Sequence, residues 1–152
     1  MQRITFKDGH YEEYQCETLY EAIKIRAGEN RDFRGAVFSY ANLKGVCFNN
    51  CDLTDADFTR AKLINTRFSG AILQNANLSR TVAYRPLFIS ANCKGANFTG
   101  SFYEAPCFIG ADLSSANLED ALFYCADFRL AKMKGANTNG FSDFKSITLP
   151  IE

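Results

Sequence analysis

A large apolar residue recurs at every fifth position along most of this chain. Taking it as the centre of each unit, the centres run Phe33, Phe38, Leu43, Phe48, Leu53, Phe58, Leu63, Phe68, Leu73 and Leu78. After Ala83 they resume as Phe88, Cys93, Phe98, Tyr103, Phe108, Leu113, Leu118, Phe123, Phe128 and Met133, with no residue inserted or lost. Two positions before each centre is usually a small residue, and the residue between them is often Asn or Asp, as in Ala56-Asp57-Phe58 and Ala96-Asn97-Phe98. A five-residue period excludes a helical stripe, because five steps of about 100° carry successive centres around the cylinder. In extended chain the small residue and the centre two later share a side, but five is odd, so a straight strand would send the next pair to the opposite side. The chain must therefore turn in every unit, which encloses an apolar interior in a polygon.

Every twentieth residue from Phe48 is again phenylalanine (Phe68, Phe88, Phe108 and Phe128), which suggests four units per circuit. The repeated Ala-(Asn/Asp)-(Leu/Phe) units over roughly 110 of the 152 residues resemble the pentapeptide repeat family. That resemblance implies an all-β fold, a right-handed quadrilateral parallel β-helix, with coils stacked at parallel-sheet spacing of about 4.8 Å. Its bearing on function is broad, since members serve unrelated roles. Some imitate a DNA duplex and bind type II topoisomerases, protecting against quinolones, and certain members dimerise through one end of the rod.

Both ends of a solenoid need covers. Residues 1–30 read as an N-terminal cap. A hairpin is expected around Asp8-Gly9, a two-residue turn signal, followed by a helix that Thr18 and Glu21 open as a capping box. The helix should place Leu19, Ala22 and Ile23 on one face and stop at Gly28. Residues 31–140 form the solenoid. Residues 141–152 form a C-terminal cap or tail, in which Phe141, Phe144, Ile147 and Leu149 cover the other end or fold back along the side. Residues 81–90 are the irregular part: Ala83 stands where a large centre belongs, one coil before Tyr103. Pro86 and Pro106 share one column, where neither donates an N–H to the ladder and local distortion is expected.

Lysine plus arginine equal aspartate plus glutamate at 17 each, so no global field draws the chain to nucleic acid or to anionic lipid. That balance also weakens the DNA-mimic reading, which needs a strongly negative rod. Nothing resembles a signal peptide and no apolar run approaches bilayer length, so a cytoplasmic setting without a membrane partner is expected. The six cysteines have neither zinc-site nor disulfide-framework spacing, and register turns Cys51 inward and Cys47 outward. With one histidine (His10), no phosphate loop, and carboxylates such as Asp52, Asp57 and Glu119 read as a solvated face, no catalytic, metal or cofactor site is expected.

The outward positions carry the functional signal. On two adjacent faces of the later coils they turn apolar: Val82, Tyr84, Leu87, Ile89, Phe102, Ile109, Leu122 and Tyr124, with Ile64 and Cys107 nearby. The other two faces of those coils carry Asn92, Lys94, Asn97, Thr99, Asp112 and Glu119. A patch of several hundred Å² is at or above what monomers expose. It is covered by a protein partner or second copy, or covered by the C-terminal tail, or is an outer ladder that steadies the coils. The expected protein is a non-enzymatic interaction scaffold that works through this patch.

Overall fold

The computed structural model describes residues 1–145. From Asp32 onward every bridge between coils is parallel and joins residue i to residue i + 20, from Asp32↔Asp52 to Asn117↔Asn137. Four pentads therefore complete one coil of a β-helix solenoid.

The backbone donors of one pentad show why the sequence repeats as it does. Around Leu53, Asp52 N donates back to Arg31 O at 2.9 Å, while Leu53 N and Asp55 N donate forward to Ile72 O and Gln74 O at 2.7 and 3.0 Å. The N–H of the next small residue, Ala56, closes the turn onto Leu53 O at 3.0 Å. The remaining donor, Thr54 N, is taken by the Asp52 carboxylate at 3.0 Å. The same side-chain bond recurs from Asp57 to Thr59, Asn77 to Ser79, Asn97 to Thr99 and Asp112 to Ser114. The Asn or Asp of the motif thus satisfies a backbone donor that the ladder leaves over, a role beyond the solvated face expected for it. The last residue of each pentad takes positive φ, as at Gly45 (73°), Gly70 (68°) and, against steric preference, Leu130 (61°).

Inside, the alanines and large centres are sealed from solvent, except Ala41 and, at the far end, Met133 and Ala136, which are partly buried. The phenylalanine column stacks face to face, with ring centroids 5.5, 5.0, 4.7 and 5.3 Å apart from Phe48 through Phe128.

The N-terminal hairpin pairs β1 (Gln2–Phe6) with β2 (Tyr11–Tyr14). Its loop has three residues, not the two expected: Phe6 N donates to His10 O, Gly9 N donates to Phe6 O, and Gly9 sits at φ 89°. Asp-Gly here forms a turn closed by a left-handed glycine, the usual three-residue solution. Helix α1 (Leu19–Glu29) carries the capping box of Thr18 and Glu21. It runs through Gly28, which does not take the left-handed conformation, and its end is Asn30. Ala22, Ile23 and Arg26 are its buried residues. Arg26 is 5% exposed, pairs with Glu12, donates to Asp32 O, and lies over the rings of Phe6 and Phe33 at 4.9 and 5.5 Å. On its other edge β1 pairs antiparallel with β3 (Ala36–Val37), so the hairpin covers backbone groups of the first coil that would otherwise form a free edge.

Where the array looked irregular, it becomes more strand-like. Strands β4 (Val82–Tyr84), β5 (Phe102–Glu104), β6 (Leu122–Tyr124) and β7 (Ser142–Phe144) form a parallel sheet in that order. The prolines take nothing from the ladder, contrary to expectation. Their position normally closes a turn, as Ala91 N does to Phe88 O, while the flanking ladder donors Arg85 N and Leu87 N are made at 2.7 and 3.0 Å. At the far end Phe141 packs against Phe123 with ring centroids 5.3 Å apart. Phe144 does not cover that end: it points outward from β7. Ile147 and Leu149 lie outside the described residues.

Candidate interaction face

Strands β4 to β7 place one column of side chains in the register Val82, Phe102, Leu122, Ser142, and a second in the register Tyr84, Glu104, Tyr124, Phe144. Strand alternation turns both columns outward while Ala83, Tyr103 and Phe123 face the core. Val82 is 50% exposed, Phe102 and Tyr84 are each 43% exposed, and Tyr124 and Ile89 also remain open. Leu122 is half-buried, as are Leu87 and Ile109. The neighbouring column holds Leu87, bridged to Cys107 one coil on. Five of the eight expected residues thus share one sheet, and Leu87, Ile89 and Ile109 stand on the adjoining face.

From the sequence, Phe144 was expected to cover the end of the rod or to fold back along its side. It is 54% exposed and completes the outer column beyond Tyr124. The signal was available, since Phe144 stands twenty residues after Tyr124. Phe102, Leu122, Tyr124 and Phe144 line a hollow of about 260 Å³, with Glu104 as its polar member. Lys145 Nζ stands 5.8 Å from the centre of the Tyr124 ring.

Burial pushes the Cys51 thiol up to about 11 and raises Cys93 further, so neither is a ready thiolate. Cys51 is buried and Cys47 half-buried, in the register expected, and all six thiols are free. Among the described residues no group of three His, Cys, Asp or Glu side chains could hold a metal ion. No helix among them is long and apolar enough to cross a membrane.

A parallel ladder that advances twenty residues per circuit, with Asn or Asp binding the turn wherever the unit carries one, defines a solenoid built from five-residue repeats. The chain belongs to the pentapeptide repeat family, whose model matches residues 31–55, 51–82 and 108–137 in 8 copies. No curated protein matches it by sequence. Among solved structures it is similar to HetL, a pentapeptide repeat protein involved in heterocyst differentiation regulation from the cyanobacterium Nostoc sp. strain PCC 7120. That match has 26% identity and a TM-score of 0.56, over 73% of this chain and 54% of HetL. It is also similar to a trypsin-treated form of QnrB1, a plasmid-mediated fluoroquinolone resistance protein, at 23% identity and a TM-score of 0.66, over 72% of this chain and 57% of that one. The chain therefore spans little more than half the length of either.

Proposed function

We propose that this protein is a non-enzymatic scaffold that binds a protein partner, or a second copy of itself, through the apolar face of β4 to β7. The observation that carries this reading is the row of Val82, Tyr84, Phe102, Tyr124 and Phe144, all open to solvent on one sheet. Aromatic side chains held on a rigid backbone lose little entropy on binding, which suits them as anchors. HetL's involvement in heterocyst differentiation regulation is compatible with such a scaffold. A cap over residues 1–30 and a four-sided, right-handed solenoid over 31–140 go with this reading. Four pentads per circuit support the outline, and the usual handedness of parallel crossovers supports the hand. Six free thiols suit a reducing, cytoplasmic setting.

The rival reading is a DNA mimic that binds a type II topoisomerase. Against it stands the middle of the rod: residues 58–103 contain no Asp or Glu but carry Arg60, Lys62, Arg67, Arg80, Arg85 and Lys94. A gyrase supercoiling assay separates the two, since a mimic protects the enzyme and the scaffold leaves it unaffected.

The direct test is light scattering after size exclusion, together with affinity capture, for wild type and for the double variant Tyr84→Glu/Phe102→Glu. The double variant should lose the dimer or captured partner while keeping its circular dichroism. A folded wild-type monomer that captures nothing, and that the substitutions leave unchanged, would sink the proposal.

A further inference from the structure

A hollow lies where α1 leans on the first coils. Tyr20, Ile23, Lys24, Ala27 and Gly28 from the helix face Arg31, Val46, Cys47, Asn49, Asn50 and Arg67 across a hollow of about 360 Å³. Its apolar part is Ile23, Ala27 and Val46. Its polar part is made of cations and amides: no carboxylate lines it, although the protein as a whole is neutral. Lys24, Arg31 and Arg67 enter none of the ion pairs found among the described residues, which involve Arg3, His10, Arg26, Arg34, Lys94 and Arg129. Asn49 turns its Oδ1 to Ser69 N–H at 3.0 Å, which leaves its amide nitrogen as a donor.

Arg67 also lines an adjoining hollow of about 430 Å³ with Gly45, Asn65, Arg85 and Leu87, again without a carboxylate. The two hollows meet at Arg67, which thus has cationic neighbours on both sides. Three unpaired cations line one concavity, and a bound anion uses the donors of all three at once while offsetting their mutual repulsion.

We infer that this crevice binds a small multivalent anion, a phosphoryl, pyrophosphoryl or polycarboxylate group, held by Lys24, Arg31 and Arg67 with Ile23 and Val46 beneath it. The volume falls within the range of small-molecule sites. Apolar residues in the floor favour a compact ligand over an extended phosphate backbone, whose interfaces are more polar. The crevice borders the apolar patch only where Arg67 stands one coil from Leu87, and Lys24 and Arg31 lie outside that patch.

Calorimetry on the full chain tests this with three probes: sodium pyrophosphate, citrate and a short oligothymidylate, each at low salt. Pyrophosphate or citrate should bind saturably, and the one that binds distinguishes a phosphoryl ligand from a polycarboxylate. Arg67→Gln should weaken that binding at least about tenfold, the loss expected for one charge-assisted contact. Lys134→Gln, a change to an exposed cation on the last coil, should leave it within about twofold. Arg31→Gln serves if the Arg67 variant loses its thermal transition. Absence of heat with both small anions at millimolar concentration overturns the inference. So do equal losses in the Arg67 and Lys134 variants, and so does tighter binding of the oligonucleotide than of either small anion.

Discussion

Tyr103 reaches back one coil to Thr81, its phenolic oxygen 2.8 Å from Thr81 Oγ1, directly beyond the place where Ala83 stands in a column of large residues. Thr81 Oγ1 in turn donates to Leu78 O at 2.6 Å, so the hydroxyl of the large residue is satisfied inside the core. A small centre and an oversized one compensate each other across the ladder. Replacing Tyr103 with Phe should cost about 1 kcal/mol, the net worth of one buried hydrogen bond. Tyr103→Ala should cost about 3–5 kcal/mol through the cavity it leaves. Urea denaturation of both variants checks the ranking.

Ser101, in the same inward column as Thr81, is 1% exposed and its Oγ has no hydrogen-bond partner in the structure. An unmade bond at a buried hydroxyl is a standing cost. Ser101→Ala should therefore raise stability by about 1 kcal/mol, visible as a higher denaturant midpoint with an unchanged slope.

The left-handed corners predict opposite responses at two positions. Leu130 holds φ 61° with an exposed side chain, so Leu130→Gly should stabilise by up to about 1 kcal/mol. Gly70→Ala should destabilise, since its φ is 68° and the new Cβ would lie 2.3 Å from Asn50 Oδ1. Thermal melts of the pair suffice.

Arg26 ties hairpin, helix and first coil together. Arg26→Met keeps much of the packing over Phe6 and Phe33 but strands Glu12 and the Asp32 carbonyl. A loss of about 2–3 kcal/mol is expected, below the full cost of breaking a buried pair because Glu12 is partly solvated. Hydrogen exchange should show the loss concentrated in β1, β2 and α1.

The hydrogen bond from Arg34, reinforced by its charge, pulls the Asp32 carboxyl down to about 2. A depressed acid contributes stability that is complete above its unfolded value near 4 and fades as pH falls through about 2. Asp32→Asn should therefore flatten the stability profile between about pH 4 and pH 2 and leave its shape above pH 5 unaltered. Denaturant midpoints along that range measure it.

The solenoid could be read from the chain because five-residue spacing is a geometric statement: Phe48 to Phe128 at steps of twenty stack as the arithmetic requires. The cap was readable only locally. Thr18 and Glu21 announce a helix, but the pairing of β1 with Ala36 and Val37 is a long-range choice with no periodic signature. Gly28 misled because glycine ends a helix only when left-handed, and here Arg31 and not Gly28 takes that conformation. Pro86 misled because its role depends on which donors the ladder uses, and the small position is not one of them. The eight apolar residues came from register alone, and the register also contained Phe144. The crevice at Arg67 was hidden by the overall charge balance, since a neutral total conceals residues 58–103, where acids are absent.

The twenty-residue ladder also governs how this molecule tolerates length changes. Inserting one five-residue unit would keep every inward residue inward but move each downstream outward column to the next side, scattering Tyr84, Phe102 and Tyr124 relative to everything before the insertion. Inserting four such units would lengthen the rod by one coil, about 4.8 Å, and return every column to its own side. Duplication in blocks of twenty is thus the silent mode of growth for this architecture, and duplication in blocks of five is a reassignment of its surfaces.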